Sequence, residues 1–101
     1  MKKTHQLSVI LHNVRSLHNV GSVFRTAEAA GVAKIYLTGY TPSPLDEMGR
    51  TRKEIAKTAL GAENLVPWEK VASLAGLLRR LKEERIYIVG LENAPGATDY
   101  R

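Results

Sequence analysis

The residues that could do chemistry are concentrated between positions 12 and 31, where asparagine, serine, threonine and arginine recur at helical spacing. Asn19, Ser22, Arg25 and Thr26 lie three or four residues apart, which predicts a polar stripe along one side of a helix. A guanidinium close to the free N–H groups of a helix start suits a phosphate group. We expect Asn19 to cap this helix. An amphipathic helix with one surface arginine is the alternative, and the residues alone leave both open.

Gly21 lies inside the same predicted helix. Glycine destabilises a helix interior by about 1 kcal/mol relative to alanine, so we expect another backbone or a ligand to approach closely there. The segment has neither the G-x-G-x-x-G pattern of dinucleotide-binding proteins nor the G-x-x-x-x-G-K-[ST] pattern of a P-loop.

The elements that must position these residues alternate along the chain. Strands are predicted near residues 7–12, 34–39, 64–67 and 86–91, and helices near residues 19–30, 51–60 and 69–84. This alternation predicts an α/β fold, a parallel sheet with helices on both faces. Ligands of such sheets bind beyond the carboxyl ends of the strands, so we expect the site near residues 12–13, 39–40 and 91–93.

Charge is distributed unevenly along the 101 residues. The chain has 15 Lys and Arg against 10 Asp and Glu, a net charge of +5. Residues 1–57 hold nine basic and four acidic residues and therefore carry the whole excess. Arg50, Arg52, Lys53 and Lys57 form the densest basic patch. A basic half of this kind is typical of proteins that bind nucleic acid, although a merely cationic surface is the alternative.

Composition excludes several classes. The length of 101 residues allows one domain, and no apolar run approaches the roughly 20 residues of a membrane span. The chain has no Cys, which rules out disulfides and a thiol nucleophile, and its three His are spaced too irregularly for a metal site on one element. We therefore expect no membrane partner, no metal and a cytoplasmic location.

The run Asn-Val-Gly-Ser-Val-Phe-Arg-Thr-Ala at residues 19–27, followed by Gly31, closely resembles the first motif of the SpoU (TrmH) family of RNA ribose 2′-O-methyltransferases. The flanking segments at residues 13–14, 34–37 and 57–63 are similar to that family too. The resemblance extends over residues 7–93, most of the chain.

This resemblance implies an α/β-knot methyltransferase domain of the SPOUT superfamily, with S-adenosylmethionine as cofactor and tRNA or rRNA as partner. It implies that Arg25 helps to activate the ribose 2′-hydroxyl, by orienting it and stabilising charge, and that Asn19 shapes the site. Leu91 and Glu92 would form part of the cofactor pocket. The residues expected to contact RNA are Asn13, Arg15, His18, Ser22, Arg50, Arg52 and Lys53.

Two further motifs of the family, of the types Gly-x-Glu-x-x-Gly and Ser-Leu-Asn, do not occur in these residues. We therefore expect residues 1–101 to be a single partial domain without the knot segment, and to be inactive alone. A homodimer, or a chain that supplies the remaining segment, would be its partner. The alternatives are a non-catalytic RNA-binding or assembly module and a small phosphate- or nucleotide-binding domain unrelated to methylation.

Overall fold

A four-stranded parallel sheet forms the centre of the protein. The computed structural model describes residues 7–83 and 87–92, the latter as backbone. The strands are β1 (Leu7–His12), β2 (Lys34–Thr38), β3 (Trp68–Val71) and β4 (Tyr87–Glu92), in the order β3-β2-β1-β4. All three neighbouring pairs are parallel, which confirms the predicted sheet. The predicted limits at residues 84 and 86 lie outside the described residues.

The sheet is covered on both faces, as predicted. Helices α1 (Leu17–Ala30) and α2 (Lys53–Ala59) cover one face, and α3 (Leu74–Glu83) covers the other. Alternate residues of β1 divide between two apolar clusters because successive side chains of a strand point to opposite faces. Val9 and Leu11 pack with Phe24 of α1, whereas Ile10 packs with Leu77 of α3.

Helix α1 begins two residues earlier than predicted. The hydroxyl oxygen of Ser16 accepts the N–H of Asn19 at 3.1 Å, so Ser16 is the capping residue, and the expectation that Asn19 caps the helix is wrong. A short side chain directly before the first turn can reach that N–H, and this moves the start to Leu17. Gly31 ends the helix in the left-handed conformation, with a φ of 76°.

The strand predicted near residues 64–67 is wrong. Ala62–Asn64 form a 3-10 turn, and the edge strand β3 begins at Trp68. Pro67 has no N–H to donate to a ladder, but its carbonyl accepts the N–H of Ile35 at 2.9 Å, so pairing with β2 starts there and continues into β3.

The helix predicted near residues 69–84 also begins too early. Residues 69–71 belong to β3, and α3 begins at Leu74, after Ser73 accepts the N–H of Gly76 at 3.0 Å. Val71 packs against the same apolar cluster as Leu74 and Leu77. The helical spacing therefore runs across the junction between strand and helix, and this explains the error.

Helix α2 is shorter than the predicted range of residues 51–60. It ends at Ala59, because Leu60 takes up a left-handed conformation with a φ of 52°. The side chain of Leu60 is 65% exposed, so the last inward-facing residue is Ala59.

Candidate functional site

The ends of β1 and β2 are held together at the carboxyl edge of the sheet. Asn13 follows β1 with a φ of 57°, and its side-chain oxygen accepts the N–H of Tyr40 at 3.2 Å. Gly39 has a φ of 63°, and a Cβ at this position would overlap the Asn13 amide. His12 and Thr38 are joined by a side-chain hydrogen bond of 2.8 Å. The predicted RNA-binding residue Asn13 therefore shapes the edge at which the site was expected.

The loop after β2 is fixed by a buried hydroxyl. Thr41 accepts the N–H of Val14 at 3.0 Å and donates to the carbonyl of Leu11 at 2.9 Å. Arg15, in the loop after β1, lies over the ring of Tyr40 at 5.0 Å from its centroid. Both Arg15 and Tyr40 are exposed, so a cation and an aromatic ring stand together at the carboxyl edge.

The predicted catalytic pair lies on the outer surface of α1. Asn19 and Arg25 are both exposed, and within the described residues the guanidinium of Arg25 makes no hydrogen bond or ion pair. His18 and Arg25 are seven residues apart and so lie on the same side of the helix. The guanidinium is thus available to a molecule that lies along α1.

Helix α2 packs directly beside this surface. A Cβ at Gly21 would overlap the Thr58 hydroxyl and the Ile55 carbonyl, and would come within 3.1 Å of the Ala59 nitrogen. The expected close approach of another backbone at Gly21 is confirmed. The Thr58 hydroxyl also donates to the carbonyl of His18 at 2.9 Å. This contact sets the basic residues of α2 next to the first turns of α1.

The basic patch is not uniform. Arg50 pairs with Asp46 at 3.1 Å, whereas Lys53 is exposed on the first turn of α2. Hydrogen bonds from the Arg50 N–H, the Met48 N–H and the Arg50 guanidinium hold the pKa of Asp46 below its ordinary value. Arg50 therefore takes part in a local, largely exposed ion pair, whereas Arg52 and Lys53 form no ion pair within the described residues.

Ser22 and Thr26 lie away from the carboxyl edge. Both line an apolar groove of about 350 Å³ between α1 and the start of β1, where Leu7, Val23 and Val32 also contribute. The predicted polar stripe is therefore split between the side of α1 that carries Arg25 and the side on which Ser22 and Thr26 line this groove.

The backbone of Leu91 and Glu92 reaches the same edge as Asn13. Leu91 pairs with Leu11, and Glu92 pairs with His12. Their side chains lie outside the described part of the chain. The strand end at which the cofactor was expected is thus next to the end of β1.

Sequence reasoning missed Lys70. Its ammonium donates to the carbonyls of Gly39 and Thr41, the former at 3.1 Å. Burial, and secondly the charge of Arg52, lower the pKa of Lys70 from its ordinary value. The sequence predicts a helix at residue 70, and no local pattern links Lys70 to a loop about thirty residues earlier.

Within residues 7–83 and 87–92, no group of three or more His, Asp and Glu is arranged to hold a metal ion. No helix in that part of the chain is long and apolar enough to cross a membrane.

Together these features define an α/β domain with a polar, cationic surface at the carboxyl edge of a parallel sheet. The sequence profile of the SpoU rRNA methylase family matches residues 6–101. The chain belongs to this family of RNA 2′-O-methyltransferases.

Curated relatives agree with this assignment. The chain is 37% identical over 89 residues to the 23S rRNA (guanosine-2′-O-)-methyltransferase RlmB of Vibrio vulnificus. This match covers 88% of this chain and 34% of that protein. It is 36% identical over 93 residues to RlmB of Escherichia coli K12, and this match covers 92% of this chain and 36% of that protein. The chain spans about a third of the length of these relatives.

Solved structures share the fold. An AdoMet-bound rRNA methyltransferase from Sinorhizobium meliloti superposes with a TM-score of 0.64 at 28% identity, over 76% of this chain and 27% of that chain. The TrmH/SpoU tRNA modifying enzyme of A. aeolicus gives a TM-score of 0.70 over 92% of this chain and 55% of that chain. Its identity of 18% supports the fold alone.

Proposed function

We propose that residues 1–101 form the RNA-binding part of a methyltransferase domain that transfers a methyl group from S-adenosylmethionine to a ribose 2′-hydroxyl of rRNA or tRNA. The observation that carries this proposal is the exposed guanidinium of Arg25 on the family's motif helix, beside the basic helix α2. The curated relatives are named as rRNA 2′-O-methyltransferases, which supports the substrate class.

The role of Arg25 follows from its chemistry. A ribose hydroxyl is a weak nucleophile, and the charge that develops on its oxygen needs a positioned cation. Arginine stays protonated, so Arg25 donates hydrogen bonds to the ribose or to an adjacent phosphate and does not accept the proton. Asn19 lies six residues, about 1.7 turns, before Arg25 on α1, where its exposed amide can position the same nucleotide.

The cofactor fits the edge only in part. Leu91 and Glu92 would contribute backbone groups to its pocket, since the end of β4 lies beside the end of β1. S-adenosylmethionine, when bound, supplies the methyl group. We propose that the remaining walls come from a segment outside these 101 residues or from a second copy of the chain, and that one copy of the 101 residues alone does not methylate RNA.

The test of this function is Arg25→Ala in a protein that extends over the full length of its relatives. We expect methyl transfer from S-adenosylmethionine to RNA to fall by about 10²–10³-fold, as when one charge-stabilising donor is lost. Thermal unfolding should be unchanged because Arg25 is exposed. Arg79→Ala, an exposed arginine on the opposite face, is the matched control. Equal activities of the two variants would refute a catalytic role for Arg25.

A non-catalytic RNA-binding module is the second candidate, because the chain spans about a third of its relatives. Calorimetry with S-adenosylmethionine separates the two functions. A full-length protein that binds RNA but not the cofactor supports the module. Cofactor binding with methyl transfer supports the enzyme.

A further inference from the structure

A second polar cleft lies beside the site described above. It has a volume of about 340 Å³ and is lined by loop residues between positions 40 and 47, together with Arg52 and Lys70. This volume is within the range of small-molecule sites, roughly 300–1,000 Å³. The cleft lies beyond the carboxyl ends of β2 and β3, where parallel sheets bind ligands.

Lys70 has a donor left for the cleft. Its ammonium carries three N–H groups, and two of them reach the carbonyls of Gly39 and Thr41. The stem of Lys70 leaves β3 next to β2, so these two bonds fix the ammonium in the wall of the cleft. The third N–H is not used within the described residues.

Arg52 lies close to Lys70 and is also incompletely satisfied. Its backbone N–H donates to the Pro44 carbonyl at 2.9 Å, but its side-chain Nε is buried and has no partner in the described part of the chain. None of the ion pairs of residues 7–83 uses Arg52 or Lys70. Two neighbouring cations repel each other, and an anion between them would relieve this repulsion.

The other polar groups of the cleft are largely engaged. The Asp46 carboxylate accepts the N–H groups of Met48 and Arg50 and pairs with the Arg50 guanidinium. The hydroxyls of Thr41 and Ser43 donate to backbone carbonyls. The second acidic residue that lines the cleft, Glu47, is exposed and takes no part in these hydrogen bonds. The unused donors of the cleft are therefore cationic.

We propose that this cleft binds a phosphate group of the RNA strand, held by Arg52 and Lys70 between the β2 loop and the start of α2. The proposal rests on the proposed function for its RNA and deepens it, because it adds a backbone contact apart from the exposed face of α1. Tyr40 also lines this cleft, and the guanidinium of Arg15 lies over its ring. The RNA strand would therefore pass from the cleft over this ring.

The first experiment tests the phosphate alone. Inorganic phosphate is titrated into the 101-residue chain at constant ionic strength, and the backbone amides of Thr41, Ser43 and Arg52 are followed by NMR. We expect saturable shifts in the unmodified chain and none in Arg52→Gln, which removes a side chain that makes no hydrogen bond within the described residues. The absence of shifts, or equal shifts in the variant, overturns the proposal.

The second experiment tests the RNA source. Binding of a labelled single-stranded RNA is measured by anisotropy between about 50 and 200 mM salt, the range in which phosphate contacts weaken strongly. We expect Arg52→Gln to weaken binding about tenfold and to reduce the salt slope by about 0.7, the value for one phosphate of a single strand. Glu47→Gln should strengthen binding. Arg79→Gln on α3 is the control and should bind as the unmodified chain does.

The outcomes are separable from those of the proposed function. If RNA binds with a steep salt dependence but Arg52→Gln matches Arg79→Gln, the cleft is not a phosphate site, while the proposed function stands. If phosphate shifts the cleft amides but RNA does not bind at all, the assignment to RNA is wrong and the proposed function fails with it. Lys70→Gln is a supporting variant only, because Lys70 also holds the loop carbonyls.

Discussion

At the scale of single residues, the carboxyl edge depends on one buried hydroxyl that both accepts and donates a hydrogen bond. Thr41 is completely buried, and its one hydroxyl joins the loop after β2 to both Leu11 and Val14. The Val14 N–H would otherwise be a buried donor without a partner, which costs about 1–3 kcal/mol. Thr41 therefore supports the edge at which Arg15 and Tyr40 are exposed.

Replacing Thr41 by valine tests this support. The change keeps the side-chain shape but removes the hydroxyl, so we expect the free energy of unfolding in urea to fall by about 1–3 kcal/mol. Ser43→Ala removes a hydroxyl that bonds only the Leu45 carbonyl in the same exposed loop, and should cost less than about 1 kcal/mol. Equal costs for the two variants would contradict a special role for Thr41.

The residue scale also separates what could be predicted from what could not. Helix α1 could be predicted because the spacing of its residues and the glycine at its end are local signals, and the role of Arg25 is what the family resemblance implies. Thr41 and Lys70 could not be predicted, since their hydrogen-bond partners lie about thirty residues away and depend on the order of the strands. Their roles come from tertiary structure alone.

At the scale of elements, the contact between α1 and α2 depends on the missing side chain of Gly21. We expect Gly21→Ala to lower the free energy of unfolding by about 1–3 kcal/mol or more, although alanine is the better helix former. The reason is that the new methyl group would overlap the backbone carbonyl of Ile55, which cannot rotate away.

Gly76→Ala in α3 is the matched control for urea unfolding. The nearest atom to a Cβ there is the Ser73 hydroxyl oxygen at 3.3 Å, so the gain in helix propensity and a small adjustment should nearly cancel. If both variants were equally stable, the close packing at Gly21 would have no energetic importance.

Glu69 joins three elements and gives the fold a dependence on pH. Its carboxylate on β3 pairs with Lys34 of β2 at 2.9 Å and with Arg80 of α3 at 3.2 Å. The hydrogen bonds from Lys34, and then from Arg80, lower the pKa of Glu69 from its ordinary value. A lowered pKa in the folded state means that protons bind more tightly to the unfolded chain.

The stabilisation from Glu69 should therefore be present at pH 7 and above the ordinary pKa of 4.5, and be lost as the pH falls through the lowered pKa of the folded state. We expect urea midpoints of the unmodified chain and Glu69→Gln to differ at neutral pH and to converge in acid. The difference will be small because both partners are partly exposed. Glu54→Gln on α2 is the control. A difference that grows towards acid pH would contradict this sign.

The boundaries of elements show the limits of pattern reasoning. The apolar spacing of residues 71–81 continues from β3 into α3 because both pack on one cluster. Periodicity reports which side chains share a face, and it does not report where the backbone changes from extended to helical. Hydrogen bonds decide that, through Pro67 before the strand and Ser73 before the helix.

At the scale of the whole molecule, the excess positive charge of the sequence belongs to one part of the fold. The basic first 57 residues include β1, β2, α1 and most of α2, and both of these helices lie on one face of the sheet. Alternation along the chain predicts a parallel sheet with two covered faces, but it does not predict the order β3-β2-β1-β4. That order decides which strand ends meet, and thus which residues can form a site.

The central position of β1 has a consequence for how the chain folds as it is made. β1 ends at His12, whereas its second neighbour β4 is complete only at Glu92, about 80 residues later. At a synthesis rate of roughly 5–20 residues per second, the edge of β1 that pairs with β4 remains unpaired for about 4–16 seconds. An apolar strand with an unpaired edge is a template for association with other chains. We therefore expect the nascent protein to be open to association through this edge until β4 has been made.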